Sequence, residues 1–102
     1  MLRRTRPHEK ETVVTREVVV QNELGLHARP AAEFCRLANR FRAEITLIKN
    51  NERYSAESLI EILRANLDCG ARATLEARGV DAEKAVARLE NLLEEFRHRK
   101  EE

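Results

Sequence analysis

The chain has 102 residues, 42% of them hydrophobic and 36% charged, with a formal net charge of +1. That length and mixture suit one soluble globular domain, and so even a charge balance supplies no global field for nucleic acid or a membrane surface. No apolar run reaches the length of a signal peptide or a membrane-spanning helix, which points to the cytoplasm.

Residues 1–12 carry Arg3, Arg4, Arg6, His8, Glu9, Lys10 and Glu11 without any periodic pattern. A flexible charged arm is expected there, so removing residues 1–11 should leave stability nearly untouched. Residues 13–97 form the domain. Its first strand spans residues 13–21, rich in valine, with Val18, Val19 and Val20 in succession. Asn22, Glu23, Leu24 and Gly25 then make a loop in which Gly25 allows backbone angles that other residues resist.

The next stretch, Gly25-Leu26-His27-Ala28-Arg29-Pro30-Ala31-Ala32, sets one histidine between an extended segment and a helix. Pro30 suits a first helical turn, where a missing N–H costs nothing. His27 therefore stands at the N-terminus of a helix, where unpaired amides and the positive end of the dipole favour an anion, phosphate above all. The backbone of Ala28 and Arg29 is the candidate phosphate-binding element. The Arg29 guanidinium adds a fork of donors that fits phosphate oxygens.

The helix is predicted over residues 28–41, with Ala31, Phe34, Cys35, Ala38 and Phe41 on one stripe and Leu37 beside it. Arg36, Asn39, Arg40 and Arg42 lie off or at the margins of that stripe. A strand over residues 43–49 is followed by Asn50-Asn51, which suits a two-residue primed turn. The chain returns over residues 53–56 with Tyr54 half-buried. A short helix over residues 58–66 starts at Ser58, a good N-cap. Leu59, Ile60, Ile62 and Leu63 make its broad apolar face, and Leu59, Ile60 and Leu63 are the candidate docking patch, apolar and rimmed by charge.

Asp68-Cys69-Gly70 is a turn. Residues 71–78 then alternate with period two, Ala71, Ala73, Leu75 and Ala77 against Arg72, Thr74, Glu76 and Arg78. After Gly79, Asp81 is expected to cap a final helix reaching about Arg97, with Ala82, Ala85, Val86, Leu89, Leu92, Leu93 and Phe96 on its core face. Residues 98–102 are a charged tail. Cys35 and Cys69 stand far apart without metal-type spacing, so reduced thiols are expected and neither a metal nor a cofactor. The order βαββαβα reads as an α+β two-layer domain with helices on one face of a sheet.

The residues from Gly25 to Ala32 resemble the active-site signature of HPr, the histidine-containing phosphocarrier of the bacterial phosphotransferase system, and the likeness runs on to about Phe96. The resemblance implies an open-faced sandwich, a four-stranded antiparallel sheet with three helices on one side. It implies that His27 is phosphorylated on Nδ1 by enzyme I, itself charged by phosphoenolpyruvate, and that Arg29 stabilises the charge. The phosphoryl group would pass to enzyme II A-type acceptors, so the chain is a monomeric co-substrate rather than a self-sufficient catalyst. Asn22-Glu23-Leu24-Gly25-Leu26-His27 looks as much like the nitrogen-related branch as the sugar branch. Ser58 matches the regulatory serine that a dedicated kinase modifies in some bacteria. Its surroundings depart from the usual pattern at Glu57, Glu61, Ala65 and Asn66, so N-cap and phosphorylation site both stand as readings of Ser58.

Two other classes compete. A regulatory binding module of the same fold would act through Leu59, Ile60, Leu63 and Ser58 alone, but His27 and Arg29 together argue against an exclusively non-catalytic role. A nucleic-acid binder would use the N-terminal arginines. The balanced charge and the placing of Phe34, Phe41 and Phe96 on core stripes count against it.

Overall fold

A computed structural model describes residues 12–99. The expected arm, apart from Thr12, and the end of the tail at residues 100–102 lie outside the described residues. Four strands, β1 (Val13–Val19), β2 (Glu44–Lys49), β3 (Glu52–Ser55) and β4 (Arg72–Arg78), alternate with three helices, α1 (Ala28–Ala38), α2 (Leu59–Arg64) and α3 (Ala82–His98). The strands form one antiparallel sheet in the order β1-β4-β2-β3.

Register explains why the alternating residues segregate. Arg16 lies opposite Leu75, Leu75 opposite Leu47, and Leu47 opposite Tyr54, so these share one face. The neighbouring rows put Val14, Ala77 and Ile45 together, and Val18 beside Ala73. That face packs against the helices. Phe34 and Ala31 of α1, Ile62 of α2, and Val86 and Leu89 of α3 complete a single core. Arg16, the one charge in those rows, reaches past the core to Glu90 of α3 at 2.8 Å. Thr15, Glu76, Thr46 and Ser55 line the opposite face, which none of the three helices of the described residues covers. The two-layer fold is thus the expected one.

Local boundaries follow from caps. Asn50 and Asn51 have φ of 52° and 68°, the pair of left-handed residues that a primed turn requires. α1 ends at Ala38 rather than near Phe41. Asn39 stops it: its side-chain amide donates to the Cys35 carbonyl at 2.9 Å and to the Glu57 carbonyl at 3.1 Å. Phe41 then packs against the core from a loop. α2 likewise stops at Arg64, because Asn66 turns left-handed with φ 54°. Lys49 Nζ closes that end by donating to the Ala65 and Asn66 carbonyls at 3.0 and 2.7 Å.

Asp81 corrects one expectation. It holds the N-cap position of α3, but its side chain makes no cap bond. Its carboxylate instead accepts from the Arg42 and Ala43 amides at 3.0 and 2.8 Å, tying the α1–β2 loop to the start of α3. Those amide donors, Arg42 first, hold the carboxyl below its usual range. A lowered folded value means that the stabilisation is present above the ordinary carboxylate pKa of about 3.9 and disappears as pH falls through the folded value. Asp81→Ala should therefore lower stability at pH 7 by about 2 kcal/mol. Melting curves in a pH series should show the gap between variant and parent closing in acid; a gap constant down to pH 2 would contradict the assignment.

Candidate functional site

His27 sits where the loop after β1 meets α1. It is the N-cap, with φ −78° and ψ −171°, and its side chain makes no cap bond. Its own carbonyl accepts the first helical bond, from Ala31 at 2.9 Å. The residue is partly exposed, and Ala28 and Arg29 beside it are exposed. Pro30 brings no N–H to this turn. Among the described residues, the Ala28 and Arg29 amides donate to no carbonyl or side-chain acceptor. A helix start of this kind carries partial positive charge from those amides, and the Arg29 guanidinium belongs to the same turn. The arrangement can accept and stabilise a dianion at the imidazole.

What aims the histidine is less visible in the sequence. Leu26 is buried, and its amide donates to the Leu67 carbonyl at 2.8 Å. Gly25, with φ +68°, presses against the same segment: a Cβ there would lie 2.5 Å from the Leu67 carbonyl oxygen and 2.8 Å from Asp68 Cα. Asn22 is the buried polar residue of the loop. Its side-chain amide donates to the Gly25 carbonyl at 2.6 Å, while the Gly25 amide donates to the Asn22 carbonyl at 3.0 Å. The loop is thus clamped on itself and against the α2–β4 connection, and His27 follows directly. Sequence reasoning placed Asn22 in this loop but missed the clamp; an asparagine three residues before a left-handed glycine was the available signal.

The other singled-out residues lie on α2, which packs beside α1. Leu59, Ile60 and Leu63 are exposed, Ile60 at 67%, while Ile62 is fully buried. Leu24, in the His27 loop, is also exposed at 54%; the sequence reading had not counted it. Ser58 is the N-cap of α2, accepting from the Glu61 amide at 3.3 Å. Glu57 and Glu61, the two departures beside it, both serve the backbone. Glu57 Oε2 accepts from the Ile45 amide at 3.0 Å, and Glu61 Oε1 from the Ser55 amide at 2.7 Å. Ser58 therefore stands between two anchored carboxylates, a setting that opposes added negative charge. Among the described residues, no cluster of His, Cys, Asp or Glu is suited to a metal, and no helix is long and apolar enough to cross a membrane.

Fold and site together define a class: small open-faced α+β sandwiches that present one histidine at the N-cap of their first helix. The family model described as the HPr component phosphorylation site of the phosphotransferase system matches residues 14–95. The phosphocarrier protein NPr of Shewanella violacea is 39% identical over 75 residues, covering 74% of this chain and 82% of that protein. The phosphocarrier protein HPr of Vibrio cholerae is 38% identical over 81 residues, 79% of this chain and 95% of its own. The crystal structure of HPr-C-His from Thermoanaerobacter tengcongensis superposes with a TM-score of 0.82 at 32% identity, covering 86% of this chain and 99% of that one. The chain belongs to the HPr family of the phosphotransferase system.

Proposed function

We propose that this protein is a phosphocarrier that takes a phosphoryl group from enzyme I onto His27 and yields it to an enzyme II A-type acceptor. The observation that carries the reading is the partly exposed His27 at the N-cap of α1, beside two main-chain amides that no acceptor among the described residues engages. The family's relatives include proteins named as phosphocarriers of both the HPr and NPr kinds. Nδ1 of the uncharged ring attacks the phosphorus of the phosphorylated donor. A P–N bond forms as the bond between phosphorus and the donor breaks, and the donor's leaving atom keeps the electron pair. Such a transfer asks little covalent work of the protein beyond placing the nucleophile and balancing charge on the phosphoryl oxygens. The Ala28 and Arg29 amides and the Arg29 side chain supply that balance. The histidine must release the group again, and an anion site at the surface, rather than in the core, keeps it reachable by the acceptor.

The test is transfer of labelled phosphoryl from phosphoenolpyruvate through purified enzyme I. Arg29→Ala should slow uptake on the order of tenfold or more while changing stability by less than about 0.5 kcal/mol, because an exposed arginine supports little of the fold. Unchanged uptake would remove Arg29 from the site.

Partner docking belongs to the Leu59, Ile60 and Leu63 patch, with Leu24 as a further apolar contact. An apolar area rimmed by charge suits transient association. Ile60→Glu should raise the KM for this protein as enzyme I substrate by about tenfold with little change in melting temperature. An unaltered KM would move docking elsewhere. The alternative, a purely regulatory module working through this patch and Ser58, predicts no phosphoryl uptake at all. The anchored Glu57 and Glu61 beside Ser58 speak against serine phosphorylation as its switch.

A further inference from the structure

We propose that the trough between α1 and α3 is a second docking site, separate from the α2 patch, and that it receives an acidic amphipathic helix of a partner protein. Arg36 and Arg40 border it from the α1 side and Arg88 from α3, and its volume is about 420 Å³. All three arginines are exposed, and their side chains make no ion pair or hydrogen bond among the described residues. Half-buried Leu37 and buried Leu92 form the floor between them. Glu33 and Glu95 stand at the same trough, but both are engaged by Arg99, at 2.7 and 3.3 Å. Among the described residues the local charge at the trough is therefore positive, in a chain whose net charge is only +1.

Three guanidinium groups around one trough repel one another, and an acidic partner relieves that cost while matching the donors. Arg36 lies in the last turn of α1 and Arg40, four residues on, lies just past the C-cap Asn39, so both border the trough at that end of the helix. Carboxylates at the same spacing on a partner helix face them, with a third opposite Arg88. Leucines on that helix cover the half-buried Leu37 at the floor of the trough, a recognition mode common in grooves between helices. A compact phosphorylated metabolite fits less well, because tight small ligands are mostly buried by their sites and this trough lies open between exposed arginines. The chain's own leading residues carry Arg3, Arg4 and Arg6, the wrong sign to occupy it. Arg36 lies about 12 Å along α1 from Ala28, so the trough and the histidine end are distinct surfaces.

The test titrates the isotope-labelled full chain with a stapled helical peptide bearing glutamates at i and i+4 beside leucines. Saturable shifts are expected at the Leu37 and Leu92 amides, weakening as salt is raised. The double variant Arg40→Gln, Arg88→Gln should weaken binding on the order of tenfold, and a peptide with glutamine for glutamate should not bind. The proposal fails if the peptide shifts residues 59–63 instead, or if the double variant binds it equally. It also fails if sodium tripolyphosphate shifts the same amides at lower concentration, which would assign the trough to small polyanions.

Discussion

His27→Ala should reduce phosphoryl uptake from enzyme I and phosphoenolpyruvate to background. The chain offers two other histidines, and neither has the setting. His8 stands in the charged leader, and His98 is exposed at the end of α3, 3.1 Å from Glu94. A carboxylate at that distance repels an incoming phosphoryl group rather than stabilising it. The label carried by the parent protein should be lost in acid and retained in base, because protonation of a phosphoramidate makes its P–N bond labile. The substitution should leave the fold intact: the His27 side chain makes no cap bond, and its backbone carbonyl still accepts from Ala31. A change within about 1 kcal/mol is expected. A variant that labels as well as the parent would refute the phosphocarrier reading of His27, while the family membership and the fold would stand.

Gly25→Ala should be among the most damaging single-methyl additions in the protein. Two costs add. The residue sits at φ +68°, where a side chain is strained, and the new Cβ would lie 2.5 Å from the Leu67 carbonyl oxygen. That neighbour does not yield easily, because the carbonyl already accepts from the Leu26 amide at 2.8 Å. A loss of about 3 kcal/mol is expected, a fall in melting temperature of more than about 10 °C. Gly70→Ala is the matched comparison. It too has positive φ, +90°, but nothing lies within 4 Å of its Cβ position. It should cost about 1 kcal/mol, the conformational strain alone. Equal losses at the two sites would show that the contact with the α2–β4 connection is unimportant. Because Gly25 is two residues from His27, the folded fraction of Gly25→Ala should also take up phosphoryl more slowly than Gly70→Ala.

Much of the architecture was legible because its causes are local. The period-two run at residues 71–78 became β4 with the expected face inward, since alternation places side chains on opposite faces whatever the strand pairs with. The two asparagines made their turn because they tolerate left-handed backbone. Ser58 capped α2 because its hydroxyl needs only an amide three residues on. The helix ends read less well. Asn39 and Asn66 stop α1 and α2 within stretches that still look helical, and Asn39 does so partly by bonding to the Glu57 carbonyl, eighteen residues away.

Local spacing alone was enough for the strands, the helices, the inward faces and a histidine at a helix start next to an arginine. Each of these depends on residues a few positions apart, whose spacing acts through the pitch of a helix or the pleat of a strand. Long-range packing was needed to set β4 between β1 and β2, to turn Asp81 to the α1–β2 loop instead of its own helix, to bring Glu57 to the Ile45 amide, and to wedge Gly25 against residues 67–68. Those partners are brought together by burial of the common core. A carboxylate or a bare backbone then bonds or packs with whatever amide or carbonyl the folded chain delivers to it, and no local pattern specifies which that will be.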